Sequence, residues 1–198
     1  MTPLRALIAA GALALTACSS AAAAEDTFDA PAAQRQAREG TGLKTAVFAG
    51  GSVANPSYEA VSAGTTGHAE AVRVTYDPKV VRYDQLLRVL FSVVADPTLK
   101  NRQGPDSGTQ YRAAIFPLNA EQRQVATSYL AQMRSSGVWE RPIVVEIESG
   151  RFYPAETYHQ DFADKNPTHP YIRRWDAPKV VALRTMYPTL YRAEFKTG

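Results

Sequence analysis

Apolar and polar positions alternate, or recur at helical spacing, along most of this chain, and that pattern predicts its elements. Residues 44–49, Lys-Thr-Ala-Val-Phe-Ala, form a short apolar run that reads as a buried strand. Residues 50–67 are rich in Gly, Ser, Asn and Pro and read as a loop, with one helical turn near Tyr58-Glu59. In residues 71–76 Val72, Val74 and Tyr76 share one face, the mark of a half-buried strand. Tyr83, Leu86, Leu87, Leu90, Phe91 and Val94 recur at helical spacing, and that helix stops before Asp96-Pro97. Residues 96–110 form a second polar loop, and residues 111–116 a further strand. Asn119, with Gln122 three positions on, opens a helix in a capping-box pattern, and Gly137 ends it. Ile143, Val145 and Ile147 alternate as a strand, and Asp176 with Pro178 begins a last helix that ends before Pro188. No internal repeat is present. Strands and helices interspersed in one small domain predict a layered sheet with helices, α/β or α+β.

Upstream of this pattern the chain changes character. Arg5 is followed by an apolar stretch over residues 6–15, too short to anchor in a bilayer, so residues 1–17 read as a signal peptide. The stretch ends in Leu15-Thr16-Ala17-Cys18, which resembles the bacterial lipobox. Two readings stay open: lipidation at Cys18, giving a lipoprotein held on the periplasmic side of the cell envelope, or plain secretion with cleavage further on, after Ala24. Residues 18–42, rich in Ala, Gln and charge, read as a tether, and residues 43–198 as the domain.

Composition narrows the classes. With 45% hydrophobic and 21% charged residues among 198, the chain is not a mainly disordered one. A net charge of +3 without a basic run or aromatic-interleaved stripe gives no reason to expect a nucleic-acid partner. His68, His159 and His169 are spaced in no standard ligand pattern, so no metal is expected. Cys18 is the only cysteine. Lipidated or cleaved away, it leaves the mature protein with neither a free thiol nor a disulfide.

Three segments carry a resemblance. The first is Asn55-Pro56-Ser57-Tyr58-Glu59, followed by Gly64-x-Thr66-Gly67-His68-Ala69-Glu70-Ala71-Val72. The second is Asp96-Pro97-Thr98, then Asn101-Arg102-Gln103-Gly104-x-Asp106-x-Gly108-Thr109-Gln110-Tyr111-Arg112. The third is Pro154-Ala155-Glu156-x-Tyr158-His159-Gln160, Asn166-Pro167 and Pro170-Tyr171-Ile172. In this order and spacing, over residues 55–188, they resemble the peptide methionine sulfoxide reductase A family, exported form. The resemblance implies a ferredoxin-like plait of mixed sheet with flanking helices. It implies reduction of the S epimer of methionine sulfoxide, free or in proteins, as a repair of oxidative damage. It implies no bound cofactor and a thioredoxin-type or dithiol reductant as partner. By resemblance, Glu70 holds the sulfoxide oxygen and gives it a proton, Tyr58 and Tyr111 add hydroxyl donors, and Asp106 shapes and polarises the pocket.

Those residue types suit the chemistry. A sulfoxide oxygen carries partial negative charge and needs donors, which a neutral tyrosine supplies. A glutamate donates only when protonated, so its pKa must be raised by burial and a neighbouring carboxylate. Taken singly, Glu70 reads as a solvated charge, the tyrosines as packing aromatics, and Asp106 as a turn former.

The chain departs from the family at the nucleophile. The family carries Gly-Cys-Phe-Trp-Gly after its first strand, where the cysteine attacks sulfur and Phe and Trp receive the substrate's methyl group. Here residues 44–49 lead into Gly50-Gly51-Ser52-Val53-Ala54-Asn55-Pro56. Gly50-Gly51 fits either the glycines before the nucleophile or the pair before Asn-Pro-x-Tyr, as an in-frame loss of a strand–helix–strand segment would leave it. Ser52 then stands at the junction, and Ser62 replaces a further family cysteine. Serine is neither acidic nor nucleophilic enough to substitute and forms no sulfenic acid. The sequence therefore predicts an inactive relative that binds methionine sulfoxide, with an active envelope reductase and a structural lipoprotein as the competing readings. It also predicts that residues 45–49 lose their strand neighbour and that apolar surface on that face is uncovered.

Overall fold

Alternation does place a strand at Val72–Tyr76 (β2), and its partner is the apolar run Lys44–Phe48 (β1). The two pair antiparallel through five residues, from Lys44 opposite Tyr76 to Phe48 opposite Val72. This corrects one expectation: the first strand is not left without a neighbour. The computed structural model describes residues 27–48 and 57–193. Cys18, the 1–17 leader and the Gly50-Gly51-Ser52 junction lie outside them.

α1 (Tyr58–Ser62) is a single turn whose first orphan donors are met by Ser57, with Oγ accepting from the Ala60 N–H at 3.3 Å. α2 (Tyr83–Val89) runs directly into a π-helical turn at Leu90–Val94, where the Ala95 N–H reaches back to Leu90 O. A two-residue hairpin follows, β3 (Arg102–Gln103) with β4 (Asp106–Ser107). The strand expected over residues 111–116 is shorter: a 3-10 turn at Thr109–Tyr111 precedes β5 (Ala114–Ile115). α3 (Ala120–Ser135) is capped by Asn119, whose Oδ1 accepts the Gln122 N–H at 2.8 Å. Gln122 itself does not complete a capping box; its amide oxygen accepts from Leu118 N and its amide nitrogen donates to Thr45 O. β6 (Glu146–Ile147) lies parallel to β5. α4 (Phe162–Lys165), a second π turn at Ile172–Asp176 and α5 (Ala177–Met186) close the chain.

The class is α+β. Among the described residues the strands make three two-stranded sheets rather than one continuous mixed sheet. The core gathers where one face of α2 meets α3, β2 and β5: Tyr83, Leu87, Phe91, Ile115 and Val125 have no exposed surface, and Tyr129, Met133 and Val145 have almost none. Burying each such side chain is worth about 1.5–3 kcal/mol. No described helix is long and apolar enough to cross a membrane.

Residues 27–39 belong to the stretch read as a tether, yet they lie against this core. Ala30 and Ala37 are buried. The Phe28 N–H donates to Ser92 O at 3.1 Å, Tyr129 Oη to Pro31 O at 2.8 Å, and Gln132 Nε2 to Ala32 O at 2.7 Å. Ala37 N–H donates at 2.9 Å to Asp84, a buried carboxylate that also pairs with Arg82. Glu39 accepts from Tyr76 Oη and from Tyr83 N–H.

Candidate active site

Everything at this site hangs on Gln110. Its backbone carbonyl accepts the Glu70 N–H at 2.8 Å, and its side-chain amide donates to Ser62 O at the end of α1, also at 2.8 Å. One buried residue, through its backbone carbonyl and its side chain, thus joins the Glu70 loop to the helix that Tyr58 opens. The tie demands a glycine nearby: Gly108 has φ +147°, and a Cβ there would sit 2.4 Å from Gln110 Oε1. Arg112 binds the same loops from the other side. It forks onto Glu148 at 2.8 and 2.9 Å and donates to Thr109 O and Gly67 O.

The β3–β4 hairpin brings Asp106 to this point, where it accepts a hydrogen bond from Tyr171 Oη. Glu70, Asp106, Tyr111, Tyr171 and Asp176 line one cleft of about 450 Å³. Its remaining walls are largely aliphatic: Val72 and Val74 from β2, and Leu86, Val89, Leu90 and Val94 from α2 and its π turn. Glu70, Asp106 and Tyr111, singled out from the sequence, therefore converge. Tyr58 is placed as the first residue of α1, and its side chain is outside the described part of the molecule. Ser52 and Cys18 are outside it too. From the sequence Tyr171 belongs to a matching segment without a role, and Asp176 marks only a helix start. Both reach the cleft through the second π turn, which no local pattern announces.

Charge is crowded here. Glu70 is exposed as a whole residue, yet the protein around its carboxyl raises its pKa, first by burial, then through the negative charge of Asp106; His159 pulls the other way. Asp176 is also raised, by burial first; Lys179 opposes the shift and Asp106 adds to it. Tyr171 is pushed well above the phenol range by burial and by its bond to Asp106, so its hydroxyl stays a donor. Glu70 thus holds its proton to higher pH than an ordinary glutamate. Asp106→Asn is expected to lower the Glu70 titration midpoint, followed by carbon-13 NMR of its carboxyl, yet leave it above the ordinary value, because burial is the larger cause. A midpoint that does not move, or that falls all the way to the ordinary value, would contradict this ordering.

The histidines do not gather. His68 is buried edge-on to Tyr153 at 5.7 Å, His159 packs on Tyr158 at 4.2 Å, and His169 on Phe162 at 5.4 Å. Among the described residues no group of three His, Cys, Asp or Glu is placed to hold a metal ion.

The pattern of one family, described as peptide methionine sulfoxide reductase, matches residues 21–189. This chain belongs to the peptide methionine sulfoxide reductase family. Among its relatives is peptide methionine sulfoxide reductase MsrA 2 of Mesorhizobium japonicum, 53% identical over 145 residues that span 73% of this chain and 74% of that one. The MsrA 2 protein of Synechocystis sp. is 45% identical over 148 residues, 74% of this chain and 69% of that one. The crystal structure of Mxr1 from Saccharomyces cerevisiae in reduced form superposes with a TM-score of 0.53 at 36% identity, over 64% of this chain and 71% of that one. Family membership makes the cleft around Glu70 the candidate site of an oxidoreductase that acts on methionine sulfoxide.

Proposed function

We propose that this member of the reductase family holds methionine (S)-sulfoxide in the Glu70 cleft and does not reduce it. The sulfoxide oxygen faces Glu70, which donates its proton, with Tyr111 and Tyr58 as further hydroxyl donors and Asp106 as the charge that keeps Glu70 protonated. The observation that carries this reading is the convergence of Glu70, Asp106 and Tyr111 on one largely aliphatic cleft, with the Glu70 pKa raised by burial and by Asp106. Proton donation by such a group is worth about 10²–10⁴ in rate where the rest of the machinery is present. The missing part is the thiolate. Cys18 is the only cysteine in the sequence, and on the lipobox reading its sulfur carries lipid. A thioredoxin-like or dithiol reductant then has no sulfenic acid or disulfide to act on. In this reading residues 1–17 direct export, Cys18 anchors the protein to the envelope membrane, and its ligands are oxidised methionines of envelope proteins. A reductase that uses such a reductant to repair those proteins is the second reading, favoured by family membership.

Calorimetry with a peptide carrying methionine (S)-sulfoxide tests the binding half. The expected result is saturable binding to the sulfoxide peptide and none to the same peptide with unoxidised methionine. Equal binding to both, or to neither, would contradict the assignment.

A further inference from the structure

Along β2 one face changes from core to open surface within a few residues. Tyr76 is 4% exposed, Val74 is half-buried, and Val72 is 60% exposed. The helix opposite does the same. Leu87 and Phe91 are completely buried, Leu86 and Leu90 half-buried, and Val94 is 42% exposed. The apolar layer of the core therefore continues beyond its cover, and there it lines the cleft. From Val72 to Val74 the strand rises about 7 Å, enough for an aromatic ring to lie along it. The cleft's 450 Å³ lies within the range of sites for drug-sized organic ligands. A methionine sulfoxide side chain fills only part of it.

The polar end sets the kind of head group. Glu70, Asp106 and Asp176 put three carboxyl groups there, and of the two cations that line the cleft, Arg112 and Lys179, Arg112 is already forked onto Glu148. That balance repels a carboxylate or phosphate head. The hydroxyl of Tyr111 and a protonated Glu70 instead suit a neutral, strongly accepting oxygen.

We propose that the cleft accepts neutral sulfoxides whose two substituents on sulfur are both larger than methyl, with the oxygen at Glu70 and one apolar arm laid on Val72, Val74, Leu86 and Leu90. This rests on the placement of the oxygen at Glu70 given under the proposed function. Burying an aromatic arm on that surface gives an affinity gain of about tenfold or more over the methyl analogue.

The test is calorimetry on the full chain with five probes: N-acetyl-methionine (S)-sulfoxide methylamide, methyl phenyl sulfoxide, benzyl phenyl sulfoxide, benzyl phenyl sulfide and phenylacetate. Benzyl phenyl sulfoxide is expected to bind about tenfold or more tightly than methyl phenyl sulfoxide. The sulfide, which lacks the oxygen, and the anionic phenylacetate are expected to bind at least as weakly as the methyl compound. Val72→Asp, at a position exposed enough to tolerate the change, is expected to bring the two sulfoxide affinities together. If the methionine derivative binds but the two sulfoxides bind equally to the unaltered chain, this inference fails and the oxygen site stands. If the sulfide binds as tightly as its sulfoxide, the surface takes any apolar molecule and the inference fails again. If neither the methionine derivative nor either sulfoxide binds, the oxygen site and the inference fall together.

Discussion

Glu70→Ala is expected to weaken binding of a methionine (S)-sulfoxide peptide by about 10- to 100-fold, the loss typical of a hydrogen bond to a charged or strongly polarised partner. The pH dependence is the sharper readout. The Glu70 pKa is raised above its ordinary value, by burial first and by Asp106 second. Below that raised value the carboxyl is protonated and donates to the sulfoxide oxygen. As pH climbs through it the donor becomes a carboxylate that repels the same oxygen, so affinity falls. Glu70→Gln keeps an amide donor at every pH. It is expected to bind within a few-fold of the unaltered chain at low pH and to lose the pH dependence. Calorimetry across a pH series checks both variants. Affinity that rises with pH, or a glutamine variant that keeps the full pH dependence, would show that Glu70 does not hold the oxygen.

Beginning the chain at Gly40 is expected to destabilise the domain by about 3–6 kcal/mol, read from urea unfolding. The removed segment buries Ala30 and Ala37 and supplies or receives the bonds to Ser92, Asp84, Tyr76, Tyr83, Tyr129 and Gln132. Each net hydrogen bond is worth about 0.5–1.5 kcal/mol, and the ordering entropy of the segment offsets part of the sum. The Ala37 N–H to Asp84 contact adds most, since its loss takes a donor from a buried carboxylate. Glu39→Gln is a milder form of the same test, as it weakens the acceptor for Tyr76 and Tyr83. Unchanged stability in the shortened chain would make residues 27–39 the plain tether their composition suggests.

That segment shows where local pattern gives out. Its alanines and Pro31 carry no periodicity, because it is held by backbone and side-chain bonds to residues 37 to 100 positions away. β2, α3 and α5 were legible because their alternation, cap or Pro start is local. The sequence predicts one strand over residues 111–116, whereas Arg112 turns aside to Glu148, Thr109 and Gly67 and leaves only Ala114–Ile115 to pair. At the site, the motif segments brought Glu70, Asp106 and Tyr111 to notice and family membership explains why they meet. Tyr171 and Asp176 escaped notice as cleft residues: Tyr171 meets Asp106 across 65 residues, a distance no spacing rule covers. β1 has a partner in β2, yet Val72 remains 60% exposed.

The central question is whether a chain whose one cysteine is Cys18 can take oxygen off sulfur. The direct measurement is release of methionine from a methionine (S)-sulfoxide peptide by the purified mature protein with excess dithiothreitol. No product above the protein-free control is the result this account predicts; sustained turnover that Glu70→Ala abolishes would contradict it.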